Sequence, residues 1–393
     1  NDKDLDLYVV SGGSEFNERS PRLKDRIYRN DGQGHFSKIG DSPIDDYTIS
    51  GKTVCKIDFD KDGDDDLIVG NRIRPQQYPV HEPSIIYENR DGILYNVTQD
   101  VAADFEDFGI VNKVITTDFN NDGWDDFIAV GEWTSIGLFK NNQGVFENIA
   151  SQSKLDTEKG WWFSITETDL NKDGKKDYLV GNIGKNIKFK VTDRKPLRVY
   201  ADDFDDNGTH DVVLSYQYKG IFVPARGKEC STQQMPFIAE KMPSFDAFAH
   251  ASLEDIYGEK IHTAYQREAN QFASIALLNE GAGIFRKVPL PHLVQTMPVL
   301  DAAPLDVDKD GFEDLVVVGN IHHTEVETPR LDNPYALVLL SNGHDGYRVE
   351  MPSKTGLYIQ GNAKSVEVVQ QKDQAVLVIG CNDGAVEVFR HKP

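Results

Sequence analysis

The chain has 393 residues, 39% hydrophobic and 10% aromatic, which is enough to bury a substantial core. Its formal net charge of −22 argues against nucleic acid and anionic membranes as partners, because both attract basic patches. No apolar run approaches the roughly 18 residues of a membrane-spanning helix. No signal peptide is visible, and the first residues already lie inside a repeated motif, so we expect a piece of a longer chain.

A nine-residue acidic loop first occurs at Asp58 to Asp66 and recurs four times. Each copy has Asp or Asn at positions 1, 3 and 5, Gly at position 6 and Asp at position 9. The copies, called loops 1 to 5 below, are "DFDKDGDDD" (58–66), "DFNNDGWDD" (118–126), "DLNKDGKKD" (169–177), "DFDDNGTHD" (203–211) and "DVDKDGFED" (306–314). Five ungapped copies exclude a chance match.

This spacing suits a calcium ion, which takes six to eight oxygen ligands at about 2.3–2.6 Å. Glycine at position 6 permits the sharp turn, and position 7 varies because it lends only its backbone carbonyl. We therefore expect about five structural Ca²⁺ ions. The predicted side-chain ligands are Asp58, Asp60, Asp62 and Asp66; Asp118, Asn120, Asp122 and Asp126; Asp169, Asn171, Asp173 and Asp177; Asp203, Asp205, Asn207 and Asp211; and Asp306, Asp308, Asp310 and Asp314. The predicted carbonyl ligands are Asp64, Trp124, Lys175, Thr209 and Phe312. The alternative is an Asp/Gly-rich hairpin turn without metal.

Short runs rich in branched residues flank each loop, such as "KTVCKI" before loop 1 and "LIVG" after it. An EF-hand would need Glu at position 12 and a following helix, but position 12 is apolar in every copy. The pattern thus predicts a strand, a metal loop and a second strand.

A second hairpin with an Asn/Gly turn follows most of these units. Its copies are "IYRNDGQGHF", "IYENRDGILY", "LFKNNQGVF", "LLNEGAGIF" and "LLSNGHDGY". Two hairpins make a four-stranded unit, and repeated four-stranded units of this length predict a β-propeller.

The ends of the chain hold two incomplete units. "NDKDLDLYVVSGG" aligns Asp6 with Asp66 but lacks the first ligands, and "QQKDQAVLVIGCNDGAVEVF" has lost them, so we expect no calcium in either. Counting both predicts an all-β, seven-bladed propeller, a single domain over 1–393, with six or eight blades as alternatives. Apolar residues at helical spacing predict a small helical insertion at about 218–270, divided by Gly258.

The repeats resemble the FG-GAP or VCBS family of calcium-binding β-propellers, the fold also used by integrin α-subunits. "GWWFSITETDLNKDGKKDYLVGNIGKN", "RGKECSTQQMPFI" and "ETPRLDNPYALVLLSNG" look like the C-terminal propeller of bacterial surface proteins of the ASPIC/UnbV, cartilage acidic protein-like type. That resemblance implies export to the extracellular space or the outer-membrane surface, with lipid anchoring through a missing N-terminal part. The family pattern also implies that the predicted ligands in loops 1 to 5 bind calcium.

Successive strands of a blade alternate in direction, so the predicted metal loops should all lie on one face of the propeller. The long connections between second and third strands should lie on the opposite face. Long loops on a rigid scaffold are where binding usually occurs, so we expect a glycan, peptide or protein ligand there. The candidate ligand-binding residues are Arg72, Trp133, Arg226, Gln233, Gln234, His322, Glu325 and Arg330. Loop packing is the alternative role for each.

Three functions compete. A non-catalytic, calcium-stabilised binding module is favoured. A polysaccharide lyase-type enzyme is the runner-up, with Tyr78, His81, His322 and Arg330 as candidates. The third is a structural subunit of an outer-membrane uptake assembly.

Smaller features have simpler interpretations. Trp161 and Trp162 are expected to pack in the core rather than form a stacking platform, and the "HHTE" pair lacks a third metal ligand by spacing. The three cysteines, Cys55, Cys230 and Cys381, show no paired metal spacing, so we expect small buried apolar residues.

Overall fold

The computed structural model describes residues 5–40, 44, 47–324, 328–371 and 374–390. The chain divides into two compact units. The first comprises Asn1–Lys56, Asp64–Val111 and Val191–Gln271, and the second Ile57–Gly63, Asn112–Lys190 and Phe272–Pro393. Both are built from antiparallel β-sheets. Sheets 1 and 2 and an inserted sheet belong to the first unit, and sheets 4, 5, 6 and nearly all of sheet 3 to the second.

The first unit begins with two sheets that follow one another along the chain. Sheet 1 consists of β1 (Leu7–Val9), β2 (Arg26–Asn30) and β3 (Phe36–Lys38). Sheet 2 consists of β4 (Gly51–Ile57), β5 (Asp66–Asn71), β6 (Ile85–Arg90) and β7 (Ile93–Asn96). Tyr8 and Ile27 of sheet 1 pack against a buried cluster of sheet 2 that includes Val69, Ile85 and Tyr87. Two single-turn helices follow, α1 (Thr98–Val101) and α2 (Ala103–Glu106).

Sheets 3 and 4 are joined through one strand of each sheet. Sheet 3 consists of β8 (Ile110–Thr117), β9 (Asp126–Thr134), β10 (Gly137–Asn141) and β11 (Phe146–Asn148). Sheet 4 begins with β12 (Gly160–Thr168) and β13 (Asp177–Asn182). The ends of β9 and β12 pair through Gly160↔Thr134 and Trp161↔Glu132, which makes one eight-stranded sheet.

An inserted sheet interrupts sheet 4 after β13. Its strands are β14 (Leu197–Asp202), β15 (Asp211–Tyr218), β16 (Ile221–Pro224) and β17 (Tyr265–Ala269), in the order β16-β15-β14-β17. Between β16 and β17 lie α3 (Lys228–Gln234), α4 (Phe237–Lys241), α5 (Phe245–His250) and α6 (Leu253–Tyr257). Their apolar side chains pack on the sheet through Tyr200, Phe204 and Val213. Gly258 ends α6 with a φ of 79°.

Sheet 4 is completed by β18 (Ile275–Gly281) and β19 (Ile284–Pro289), because β13 pairs directly with β18. The excursion from the second unit therefore spans the inserted sheet as well as the helices. It is longer than the 218–270 insertion expected from sequence, and it includes loop 4. This explains the irregular spacing of the loops on either side of loop 4.

The chain ends in two further sheets. Sheet 5 consists of β20 (Asp301–Leu305), β21 (Asp314–Val318), β22 (Leu337–Ser341) and β23 (Tyr347–Glu350), followed by α7 (Pro352–Thr355). Sheet 6 consists of β24 (Asn362–Gln371), β25 (Gln374–Asn382) and β26 (Glu387–Arg390). Separate apolar layers lie between sheets 3 and 4, 4 and 5, and 5 and 6, around Trp162, Leu179 and Val338 respectively.

The fold confirms the predicted repeating unit. Each of loops 1 to 5 joins two antiparallel strands, and all five Asn/Gly-turn segments form hairpins. The protein is mostly β, with repeated four-stranded sheets. The number of blades stays a prediction.

Candidate metal sites and binding surfaces

All five acidic loops share one backbone form. Position 4 is left-handed in each, with φ between 59° and 62° at Lys61, Asn121, Lys172, Asp206 and Lys309. Position 6 is glycine with φ between 82° and 92°. A left-handed non-glycine residue costs roughly 1–2 kcal/mol, so five copies show that the loop must turn there. The glycine was predicted from the sequence, but the left-handed residue at position 4 was not, because residues of several types occupy that position.

Three loops bring three carboxylates together. In the described residues, Asp58, Asp60 and Asp62 of loop 1 each place an oxygen within 4.8 Å of the others. The same is true of Asp203, Asp205 and Asp211 in loop 4, and of Asp306, Asp308 and Asp314 in loop 5. Two ligands at calcium distance lie at most about 5 Å apart, so this spacing fits one shared ion.

One oxygen in each of these groups is buried without a hydrogen-bond partner. These atoms are Oδ1 of Asp58, Asp205 and Asp306. A buried unsatisfied acceptor costs about 1–3 kcal/mol, more when charged. A cation supplies the missing partner and the missing charge, so the residues present fit a divalent ion with oxygen ligands.

Loops 2 and 3 carry Asn at position 3 and hold their acids with backbone hydrogen bonds. In loop 2, the Asp118 carboxylate accepts the N–H groups of Asp122 (3.1 Å) and Gly123 (2.8 Å). Loop 3 repeats this at Asp169. Lys175, predicted as a carbonyl ligand, also places Nζ 2.8 Å from Asp173 Oδ2.

The position 9 aspartates are buried in all five loops and act as hydrogen-bond hubs. Asp126 Oδ2 accepts the Phe119 N–H (3.2 Å), and Oδ1 accepts the Asn141 N–H (2.7 Å). Asp177 and Asp314 repeat both bonds. The aspartate at position 9 therefore links its acidic loop to the third strand of the same sheet. It also lies beside the other carboxylates of the loop.

Burial, with a smaller contribution from the nearby carboxylates of Asp122 and Asp118, raises the pKa of Asp126 to about 7. Burial likewise raises the pKa of Asp177 to about 6, and the pKa values of Asp211 and Asp314 rise for the same reason. Buried, mutually repelling carboxylates of this kind favour a bound cation.

The incomplete N-terminal repeat, which forms sheet 1, keeps this hydrogen-bond hub. Asp6 Oδ1 accepts the Asn30 N–H at 2.9 Å, as Asp66 Oδ1 accepts that of Asn89 at 2.8 Å. The sequence alignment of Asp6 with Asp66 is thus confirmed. The available signal for this partner was the Asn that recurs at Asn30, Asn89, Asn141 and Asn279, with Ser341 in its place in sheet 5.

Hydrogen bonds also link each loop to the next sheet in the second unit. Asn141 Nδ2 donates to the Phe59 carbonyl, Asn279 Nδ2 to that of Phe119, and Ser341 Oγ to that of Leu170, each at 2.8 Å. The acceptor is always position 2 of the preceding loop. The loops of this unit therefore follow one another in the order 1, 2, 3, 5.

Cation–π contacts follow the same order. Lys61 at position 4 of loop 1 lies 4.0 Å from the centroid of Trp124, at position 7 of loop 2. Lys172 of loop 3 lies 5.7 Å from the centroid of Phe312 in loop 5. Position 7 thus has a side-chain role that sequence analysis did not anticipate.

Loop 4 has different surroundings within the first unit. Gln234 of α3 donates to Asp211 Oδ1 at 3.4 Å, which replaces the third-strand N–H of the other loops. Gln234 was predicted to bind a ligand on the opposite face. The structure instead places it against a metal loop.

The other predicted ligand-binding residues are dispersed. Trp133 is only 3% exposed, and its ring meets that of Trp161 edge-on at 5.1 Å, so it packs inside the second unit. Arg72 and Arg226 are half-buried, and Gln233 is exposed on α3. Glu325 lies outside the described residues.

His322 and Arg330 are brought together by Asp332. His322 Nε2 lies 3.1 Å from Asp332 Oδ1, and Arg330 pairs with Oδ2 of the same carboxylate. The hydrogen bond from Arg330 is the main reason that the pKa of the Asp332 carboxyl is lowered. His323 lies 3.9 Å from Asp383 instead.

A four-residue polar cluster surrounds His81 in the first unit. Its Nε2 lies 2.6 Å from Asp107 Oδ1, and its Nδ1 lies 3.1 Å from the Tyr265 hydroxyl and 3.2 Å from an Arg267 guanidinium nitrogen. Burial lowers the pKa of His81, with a further decrease from Arg267. Tyr265 and Arg267 lie on β17, so the sequence distance from His81 hid this cluster. Tyr78, which sequence analysis grouped with His81, is half-buried.

Trp162 is fully buried in the core, as predicted, and its Nε1 donates to the Glu158 carbonyl at 3.0 Å. Cys55, Cys230 and Cys381 form no disulfide and are half-buried, so the expected full burial is wrong.

Comparison with known proteins agrees with the repeats. A family model described as FG-GAP-like repeat matches residues 1–69 and 118–180, about a third of the chain, which contain the first unit's opening sheet and loops 1 to 3. These segments support a protein of the FG-GAP, β-propeller type. The resemblance to ASPIC/UnbV-type proteins stays a prediction. No curated protein matches the chain.

Solved structures show distant similarity only. A chain from Agrocybe aegerita, described as recognising non-reducing terminal N-acetylglucosamine, is 14% identical over 98% of this chain and 90% of that chain, with a TM-score of 0.34. Sqt1 of Saccharomyces cerevisiae is 8% identical over 93% and 90%, with a TM-score of 0.34. BBS1N in complex with ARL6DN is 10% identical over 98% and 93%, with a TM-score of 0.33. These scores are too low to carry a functional argument.

No helix in the described residues combines the length and the apolar character that a membrane span requires.

Proposed function

We propose that this protein is a calcium-stabilised, non-catalytic binding module of an exported or cell-surface protein, whose partner is a glycan, a peptide or another protein. The observation that carries the proposal is the buried, unpartnered carboxylate oxygen in loops 1, 4 and 5. We assign these acids a structural role, because strand ends and backbone groups hold them in place.

The chain's own residues have distinct tasks in this proposal. Positions 1, 3 and 5 supply oxygens, Gly at position 6 makes the turn, and Asp at position 9 fixes the loop to its sheet. A bound ion supplies positive charge that cancels the crowded carboxylates. The resulting rigid hairpins present the longer connections to a partner.

Calcium binding is tested by measuring ion stoichiometry on the purified chain after dialysis. Retention of several Ca²⁺ ions per chain supports the proposal, and a chain that retains none contradicts it. Partner binding is tested separately, by glycan arrays and by cross-linking on intact cells that produce the protein. An absence of any glycan or protein ligand contradicts the binding function.

A lyase-type enzyme is the second candidate, favoured by the His81 cluster. Tyr265, His81 and Arg267 provide a hydroxyl, an imidazole and a guanidinium within hydrogen-bond distance of one another. Proton abstraction next to a uronate carboxylate needs groups of these types. Incubation with uronate polysaccharides, followed at the absorbance of the unsaturated product, tests it. Product formation that His81→Ala abolishes would support this candidate, and no product from the wild type would exclude it for those substrates.

A further inference from the structure

An open cleft of about 900 Å³ lies in the first unit, where three separate segments converge. One wall is the β1–β2 connection, with Glu18 and Arg19. The second is the tight turn of the β5–β6 connection, with Gln76 and Gln77. The third is loop 4, with Thr209 and its neighbours. Small-molecule sites have volumes of about 300–1,000 Å³, so the cleft is large enough for a ligand of several rings.

Hydrogen bonds between the segments hold the polar groups of the cleft in place. Gln77 Nε2 donates to Glu18 Oε1 at 2.7 Å. The Gln76 N–H donates to the Ser14 carbonyl at 3.2 Å, which ties the second wall to the first. The turn itself is closed by the bonds Arg74 N–H to Val80 carbonyl and Val80 N–H to Gln77 carbonyl, both 2.8 Å. The two walls therefore form one preorganised polar surface.

Gln76 adopts a left-handed conformation with φ of 64° and is exposed at the cleft. This conformation costs a non-glycine residue free energy, and such strain persists where the surrounding structure requires it. Gln76 and its neighbour Gln77 both line the cleft.

The chemistry of the lining selects the ligand class. Amides, two carboxylates, a guanidinium, an imidazole and a hydroxyl line the cleft. An apolar peptide anchor or a lipid chain needs aromatic or aliphatic walls. A ligand rich in hydroxyl groups instead matches donors and acceptors of both kinds. The cleft also differs from the ligand-binding surface expected from sequence, because a metal loop forms part of it.

We propose that this cleft binds a short oligosaccharide, an inference that rests on the proposed binding function and names its ligand class and site. Asp203, a predicted ligand of loop 4, belongs to the same lining. The cation that suits loop 4 would fix the position of Thr209 and His210 in the cleft wall. Saccharide binding is therefore expected to weaken when calcium is removed.

The test uses the full chain in calcium-containing buffer on an array of defined oligosaccharides, followed by calorimetric titration of the strongest binder. Gln77→Ala and Arg19→Ala remove polar groups from two different walls. Gln33→Ala and Arg29→Ala are matched controls, because both side chains are exposed on the β2–β3 hairpin of the same unit. Melting temperatures of all four variants check that each is folded.

The proposal expects each cleft variant to bind the saccharide at least about ten-fold more weakly, the loss that follows from removing one well-placed hydrogen bond. The controls should bind as the wild type does. Hydrogen exchange should slow in residues 74–80 when the saccharide is present. If Gln77→Ala unfolds the chain, the exposed Arg19→Glu variant takes its place.

Two outcomes overturn the inference. In the first, no array saccharide binds. In the second, a saccharide binds with the same affinity to wild type and to folded cleft variants, which places its site elsewhere and leaves the general binding function intact. Failure of the proposed function is recognised separately, by a chain that retains no calcium and has no ligand of any kind.

Discussion

Lys172 Nζ lies 5.7 Å from the ring centroid of Phe312, which brings loop 3 next to loop 5 although loop 4 lies between them in sequence. The Ser341 hydroxyl, bonded to the Leu170 carbonyl, makes the same connection. Loop 4 is therefore carried by an insertion and has its own neighbours. Loops 1, 2, 3 and 5 are therefore linked in a row, and loop 4 has neighbours of its own. The cleft proposed to bind a saccharide includes loop 4.

Asp306→Asn should change stability with opposite sign in the presence and absence of calcium. With calcium, the loss of a charged ligand weakens the binding of the ion and so lowers the melting temperature. In excess EDTA, removing one of three crowded carboxylates relieves repulsion, so the variant should be at least as stable as the wild type. Calorimetric melting under both conditions measures this. The exposed Asp156→Asn variant is the control and should shift little in either buffer. A decrease of equal size in both buffers would mean that Asp306 has only a packing role.

Asp126→Asn should destabilise the protein by about 1–3 kcal/mol even when calcium is saturating, because one oxygen that accepts a buried backbone N–H becomes an NH₂ group. Urea unfolding measures the loss. Asp6→Asn is the matched comparison, since Asp6 occupies the same place in sheet 1 but is exposed. Its cost should be below about 0.5 kcal/mol, as for most surface changes. Equal costs at the two positions would contradict the hub role of the buried aspartate.

Lys61 and Trp124 should show a favourable coupling energy of about 0.5–1 kcal/mol, the range for an exposed cation–π pair. The double-mutant cycle uses Lys61→Met, Trp124→Leu and the combined variant, measured by urea unfolding in calcium. Calcium stoichiometry should not change in any of the three, because position 7 is expected to ligate through its backbone. Loss of an ion in Trp124→Leu would refute that assignment.

Wild-type protein should lose more stability than His81→Gln as pH falls through about 6.5. Burial and Arg267 lower the pKa of His81 below its ordinary value, and Arg74 adds to this, while Asp107 acts in the opposite direction. The folded state therefore binds fewer protons than the unfolded state in this range. The stabilisation is complete above the unfolded pKa and decreases as pH falls towards the folded one. Melting temperatures of both proteins between about pH 7.5 and pH 5 test this. A wild type that gained stability relative to the variant on acidification would show that the Asp107 ion pair dominates.

Local patterns predicted much of the fold and the metal loops. The repeated acids and the short runs rich in branched residues identified all five strand–loop–strand units, since their contacts are close in sequence. The pairing of β13 with β18 was not predictable in this way, because Tyr178 and Leu277 lie on either side of the inserted sheet in sequence. Sequence distance likewise hid the contact between Tyr265 and His81. The left-handed residue at position 4 escaped notice because Lys, Asn and Asp all occupy it.

The surroundings of the surface residues chosen from sequence could not be predicted from local patterns. Trp133 and Gln234 lie on predicted loops, but their surroundings come from other elements: Trp161 for the first, and Asp211 of loop 4 for the second. Exposure depends on such distant neighbours, which local composition does not encode.

We propose that cations complete the acidic loops, and the decisive measurement compares the melting temperature in calcium with that in excess EDTA. Ions that bind only the folded state stabilise it, and with several sites the effect accumulates. We predict a marked fall in melting temperature on chelation that Ca²⁺ restores and that Mg²⁺, which demands smaller octahedral sites, does not. An unchanged melting temperature in excess EDTA would contradict the claim.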